Sequence, residues 1–284
     1  MEYFLQIASN TVILASLYAL LALGFNFLYS TNKFFDLSYA AYLIIGSYSF
    51  FILSKIGLPL VATFVLSILF TILCAYIVEK YLYRELREKK SSGAVMMIAS
   101  LGVLTVVQAV IAIIFTSNIQ TLSASNVTLA FFGITVTYVQ VAMVVCAILA
   151  YTLTYILLSR SSFGIQIRAV SDNEELAITS QLPVAKIRMM ATIFGVSLGV
   201  IASILYGMDT SIDPYMGMQL LLKGTIVAII GGLGSMMYGV VGAILLAIVE
   251  NLAIWYIGGE WKDAIAFLIL IIILLWRPTG ILKK

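Results

Sequence analysis

Long apolar runs separated by short polar clusters set the organisation of this 284-residue chain. A helix crossing a bilayer needs about 20 mostly apolar residues. Runs of that kind fall at 8–29, 37–54, 59–79, 95–115, 137–158, 186–208 and 262–277. The stretch 218–256 is too long for one crossing and is interrupted by Gly231-Gly232-Leu233-Gly234-Ser235, so it reads as a hairpin with a short first arm and a full second arm. The pattern predicts an all-α polytopic membrane protein in one transmembrane domain over 1–284, with roughly eight or nine crossings including a glycine-broken helical hairpin.

Composition agrees. The chain is 62% hydrophobic and 10% charged, against about 25% charged in an ordinary soluble domain. A net charge of only +3, with the basic residues in short clusters between apolar runs, argues against nucleic acid as a partner and for a topology signal. Lys80, Arg84, Arg87, Lys89 and Lys90 form one cluster, and Arg160, Arg168, Lys186 and Arg188 a second. Arg277, Lys283 and Lys284 form a third. With the hairpin counted as two crossings, these clusters and Lys33 share one side. The excess of lysine and arginine makes that side cytoplasmic. The N-terminus is then outside and the C-terminus inside, in a cell inner membrane. The first run lacks a basic leader and an evident cleavage site, and reads as a retained span.

Chemistry is narrowed by what is missing. There is no histidine, both cysteines (Cys74 and Cys146) lie within apolar runs, and no phosphate-binding G-x-x-x-x-G-K-[ST] loop occurs. The residues thus suggest neither a metal site nor a cofactor, and no catalytic set of an enzyme.

The largest polar interruption, 159–187, carries both signs of charge and belongs in water. Asp172 followed by Glu175 has the spacing of a capping box, and Pro183 suits the start of the next membrane helix. Two short helices are expected, near 164–171 and 173–181. An ordinary structured connector and a docking element both fit these features.

The residues Phe163-Gly164, Arg168-Ala169, Asn173 and Ala177 resemble the coupling segment of branched-chain amino acid permeases of the ATP-binding-cassette type. That family pattern has glycine where Gln181 stands. Ala15–Gly24 is similar to the family's G-x-x-Y-A-L-x-A-[LI]-G, and Lys223-Gly224 through Ala243 to its glycine-rich segment. Arg277-Pro278-Thr279-Gly280-Ile281-Leu282 is similar to its R-P-T-G-[IL] ending. One stretch departs. Phe35-Asp36-Leu37-Ser38-Tyr39-Ala40 stands where the family has I-N-F-A-H-G.

The resemblance implies a permease subunit that imports branched-chain or other hydrophobic amino acids by alternating access, without an ATPase site of its own. Its partners would be two ATPase subunits, a second permease and an extracytoplasmic binding protein. ATPase contact would fall to Gly164, Arg168, Ala169, Asn173, Glu174 and Ala177, in a segment of about 160–186. Asp36, Ser38, Lys223, Gly231, Gly232, Gly234, Ser235 and Glu250 are candidates for the translocation path. Lys223 and Glu250 are the charges deepest in apolar sequence, a costly placement that usually faces a bundle interior or cavity. Counted from Leu233 they differ in depth by roughly 10 Å, so a direct pair would need a stretched lysine or an unwound arm. Lys223 reaching the outer face is the alternative. Gly239 and Gly242 read first as helix-packing positions. A urea or short-amide permease is the nearest rival function, and a channel or secondary transporter a more distant one.

Overall fold

The computed structural model describes residues 2–116, 118–121, 128–131 and 134–276. The C-terminal Arg277–Leu282 motif and the last basic cluster lie outside the described residues.

Every apolar run becomes a helix. These are α1 (Glu2–Asn32), α2 (Ser38–Lys55), α3 (Leu60–Val78), α5 (Gly93–Phe115), α6 (Tyr138–Arg160), α9 (Val184–Asp209), α10 (Met216–Gly231), α11 (Gly239–Tyr256) and α12 (Lys262–Trp276). Among the described residues, six stretches are long and apolar enough to cross a membrane: Phe4–Asn32, Leu60–Glu88, Gly93–Phe115, Tyr138–Arg160, Val184–Asp209 and Gly239–Tyr256. The short arm α10 is also apolar. Helices satisfy their backbone polar groups internally, as hydrocarbon surroundings require.

α1 is the central post and packs along α6, α9, α10 and α11. A close crossing makes this possible. A Cβ at Gly24 of α1 would fall 2.6 Å from the carbonyl oxygen of Gly195 in α9, so only hydrogen allows the approach. Tyr39 fills the adjacent space and its hydroxyl donates to the Leu21 carbonyl at 3.0 Å. The tyrosine standing at the family's histidine position is thus a packing residue between α1, α2 and α9.

The outer helices invert the soluble pattern. The inward stripe of α3 is Thr63, Ser67, Thr71 and Ala75, whereas Leu69, Phe70 and Leu73 face outward. The inward hydroxyls turn back on their own helix: Ser67 donates to the Thr63 carbonyl at 2.7 Å and Thr71 to that of Ser67 at 2.8 Å. Lipid supplies no hydrophobic drive between helices, so small residues that admit close contact make the interface and large apolar ones meet the lipid.

Two features were not expected. A hairpin of β1 (Thr128–Phe131) and β2 (Ile134–Thr137) precedes α6. Thr137 then caps α6 in a reciprocal pair with Gln140, at 3.2 Å and 3.1 Å. The predicted end of the third span at 79 is also too early. α3 runs on through a π-helical turn, Glu79–Tyr83, into α4 (Arg84–Glu88).

The ends are distinct. Near the start of α1, Gln6 exchanges two hydrogen bonds with Thr135 of β2, at 3.2 Å and 3.1 Å. Near its other end, Arg87 donates to Asn32 at 2.9 Å and Arg188 to the Thr31 carbonyl at 3.0 Å. The 80–90 and 186–188 basic clusters therefore share one end of the bundle.

Candidate functional site

The glycine hairpin is two helical arms, α10 and α11, joined by a turn. Gly232 and Gly234 adopt φ of 107° and 79°, left-handed values that favour glycine, and they reverse the chain within a few residues. The arms lie close together. A Cβ at Gly242 would sit 2.4 Å from the Val227 carbonyl oxygen, so this glycine serves packing. Asn26 of α1, fully buried, holds the turn. Its amide oxygen accepts from Gly234 N at 3.1 Å and its amide nitrogen donates to the Ser235 carbonyl at 3.2 Å.

Further along the arms the expected mismatch of Lys223 and Glu250 is corrected. They pair directly, and both arms remain helical. Lys223 lies eight residues before the end of α10 at Gly231, and Glu250 eleven residues after the start of α11 at Gly239. That difference of three residues is about 5 Å of helix, which a lysine side chain spans. Counting from Leu233 overstated the offset because the turn itself is asymmetric.

Glu250, fully buried, is satisfied by three donors. The Tyr18 hydroxyl of α1 donates to its Oε2 at 2.6 Å, Lys262 Nζ lies 3.3 Å from the same oxygen, and Lys223 takes Oε1. Lys223 Nζ also lies 2.7 Å from Asp263 Oδ1. One network thus joins α1, α10, α11 and α12. Lys223 does not reach out to solvent alone; its side chain is 13% exposed.

The 159–187 segment forms α7 (Ser162–Asp172) and α8 (Glu174–Thr179). The predicted Asp172–Glu175 capping box is not made. Asn173 caps α8, accepting from Leu176 N at 3.1 Å, and Ser161 caps α7, accepting from Gly164 N at 3.0 Å. Gln181 has φ of 59°, the left-handed conformation that explains glycine at this position in the family pattern.

The segment has two faces. Gly164, Ile167, Val170 and Ala177 are buried within this chain, and a Cβ at Gly164 would collide with the Leu157 carbonyl oxygen at 2.4 Å. Gly164 and Ala177 therefore anchor the segment and are not on its outer surface. Ile167 and Val170 also point inward, against this chain's own helices. The outer face holds Arg168, Ile165, Leu176 and Ile178, with Ala169 half-buried.

Two links tie the segment to the bundle. A cavity of about 460 Å³ is lined by Arg168, Ser171 and Asp172 of α7 together with Gly234 and Ser235 of the hairpin turn. Glu174 pairs with the buried Arg188 of α9. The structure thus brings the coupling candidates and the glycine turn together, and separates both from Glu250. Tyr18 and Asn26 mark these two levels on α1, eight residues apart, or about 12 Å of helix.

Asp36 and Ser38 belong to a third cluster. Asp36 Oδ1 accepts from Ser38 N at 2.9 Å, Ser38 Oγ at 2.6 Å and the Tyr83 hydroxyl at 2.7 Å. Burial pushes the carboxyl up to about 6, against the opposing pull of those donors. Its other oxygen has no hydrogen-bond partner among the described residues. The stretch that departs from the family pattern is thus a buried polar joint between the α1–α2 turn and the π-helical turn of α3.

Sequence reasoning missed Asn26, Tyr18, Tyr83 and the Glu174–Arg188 link. Asn26 carried a signal, an amide set between Phe25 and Phe27 in the apolar stretch of α1. A buried amide must find partners, and here they are main-chain groups of a turn.

Comparison with known proteins fits this architecture. Residues 7–274 match the profile of the branched-chain amino acid transport system permease component. The chain is 30% identical over 300 residues to the high-affinity branched-chain amino acid transport system permease protein BraD of Pseudomonas aeruginosa, covering 99% of this chain and 96% of that protein. It is 28% identical over 307 residues to the corresponding protein LivH of Escherichia coli strain K12, with the same coverage. It is 26% identical over 292 residues to a probable LivH of Methanocaldococcus jannaschii, covering 97% and 91%. No solved structure matches.

Proposed function

The chain belongs to the family of branched-chain amino acid transport permease components, and from that premise we propose that it is the membrane-spanning subunit of an ATP-driven importer of branched-chain or other hydrophobic amino acids. It has a transport role and is a multi-pass membrane protein. In this reading the whole of 1–284 is one transmembrane domain. ATP is hydrolysed by separate ATPase subunits, a second permease completes the pore, and a binding protein delivers substrate outside. The N-terminus is external and the end carrying the 80–90 and 186–188 clusters is cytoplasmic, as the positive-inside rule requires.

One observation carries the reading. The α7–α8 segment is anchored by one face and presents Arg168, Ile165, Leu176 and Ile178 on the other. A connector in water has no use for three exposed aliphatic side chains, whereas a cleft of an ATPase does. Movement of α7 would reach the Gly232–Gly234 turn across their shared cavity, and movement of α8 would reach α9 through Glu174 and Arg188. The Glu250 network would hold the far part of the hairpin meanwhile. Asp36 and Ser38 then act as a joint beside the moving end, and only Lys223 and Glu250 of the proposed path residues belong to the fixed part.

Reconstitution tests the function. Proteoliposomes holding the chain with its second permease and ATPases should accumulate labelled leucine only with hydrolysable ATP and binding protein. Excess urea should not compete. Uptake by the chain alone, driven by an ion gradient, would overturn the proposal. Competition by urea would move the substrate to short amides.

A further inference from the structure

A groove at the basic end remains without a role. It measures about 710 Å³ and lies between the α3–α4 extension and the start of α9. Lys80, Arg84 and Arg87 come from one wall, and Lys186 and Arg188 from the other. Most of this charge is matched internally. Arg84 pairs with Glu88 at 2.8 Å, Arg87 with Glu79, and Arg188 with Glu174. Lys80 and Lys186 stand on opposite walls, and neither makes an ion pair with a carboxylate among the described residues. The groove therefore keeps two uncompensated ammonium groups facing a common space.

The neighbouring surface is apolar. Within one helical turn of Lys80 lie Tyr76 and Ile77, with Leu73 beyond them, all exposed. One turn from Lys186 lies the exposed Met190. Both apolar flanks run from the charges onto the sides of membrane helices. Tyr76 and Tyr81 place rings 5.4 Å and 5.3 Å from Lys80 Nζ, an aromatic setting characteristic of the headgroup level. The π-helical turn Glu79–Tyr83 sets this arrangement, directing Glu79 and Tyr83 inward while Lys80 and Tyr81 face out. Such turns are frequent at functional sites.

We propose that this groove binds an anionic phospholipid, its phosphate between Lys80 and Lys186 and its acyl chains along the Tyr76–Leu73 and Met190 flanks. Basic pockets between membrane helices are suited to such headgroups. Charge complementarity selects the anion, and the apolar flanks select a lipid over a soluble phosphate or a protein. A water-soluble partner would cover the charged rim and leave the sides of α3 and α9 uncovered. The site is independent of which substrate is carried.

The test uses the full chain in its transporter complex, reconstituted in nanodiscs of phosphatidylcholine with phosphatidylglycerol, followed by mass spectrometry of lipid retained after detergent exchange. The wild type should retain phosphatidylglycerol well above phosphatidylcholine. Lys80→Gln with Lys186→Gln should lower that preference about 25-fold, roughly fivefold for each lysine near an anionic headgroup. Lys80→Arg with Lys186→Arg should preserve it. Both lysines are exposed, so the variants should fold as the wild type does. Equal retention of the two lipids by the wild type would overturn the proposal. So would displacement of phosphatidylglycerol by millimolar inorganic phosphate. Loss of ATPase association in the glutamine variant, with lipid retention unchanged, would reassign the groove to protein contact and overturn it equally.

Discussion

The glycine hairpin is held at two levels by opposite means. At the turn, one neutral amide, Asn26, makes two hydrogen bonds to main-chain groups of Gly234 and Ser235. Farther along the arms, Lys223, Glu250, Lys262, Asp263 and Tyr18 make a charged network across four helices. Separating a buried carboxylate from its cations is far costlier than giving up neutral hydrogen bonds. The hairpin is therefore fastened at one level and lightly held at the other. The lightly held level is the one that shares a cavity with α7.

The largest expected effect is at the charged level. Glu250→Ala removes the fully buried member of the network and leaves Lys223 only the exposed Asp263 as a carboxylate partner, and it should destabilise the protein by about 3 kcal/mol. Thermal denaturation in detergent should show it directly. A loss below about 1 kcal/mol would place the network in the range of surface pairs and erase the contrast with the turn.

Asn26→Ala comes next. It removes both hydrogen bonds to the turn and leaves Gly234 N and the Ser235 carbonyl without that partner, for a cost of about 1–3 kcal/mol. The comparison is sharpened if Asn26→Ala lowers transport more than its stability loss explains while Glu250→Ala acts through stability. Indistinguishable transport defects at matched protein levels would remove the functional meaning of the contrast.

The smallest effect concerns pH, at the same end as α7. Asp36 has its carboxyl raised from the ordinary 3.8 to about 6 by burial. Its contribution to stability is thus fully present below the unfolded value and is lost as pH rises through about 6. Moving from pH 7 to pH 5 should stabilise the protein by about 1 kcal/mol through this group, and Asp36→Asn should abolish that increment. An unchanged pH profile in Asp36→Asn would show the carboxyl to be ordinary.

Much of the fold was legible because lipid imposes a simple rule: each crossing needs a long apolar run, and the runs survived as helices. The hairpin was legible from Gly231–Ser235 for a similar reason, since few other residues turn so sharply. Pairings that depend on helix rotation were not. Whether Ile167 and Val170 face a partner or the bundle depends on how α7 docks, and the collision awaiting any side chain at Gly164 decides it only in three dimensions. Asn26 and the Gly234 turn lie 208 residues apart in sequence. Tyr83 continues the four-residue spacing of the inward stripe of α3, but its partner Asp36 lies 47 residues away, and a spacing within one helix does not announce it.

The central claim is that α7–α8 is the surface on which an ATPase acts. Its most direct test is the affinity between the purified permease and ATPase subunits when Ala169→Glu or Leu176→Glu is introduced on the outer face. Neither position lies in a membrane-spanning helix, so both variants should insert and elute at normal levels. The account predicts ATPase binding weakened about 30-fold, or about 2 kcal/mol, as for a central contact of an interface. Unchanged binding with unchanged leucine uptake in both variants would contradict it and leave the segment an ordinary connector.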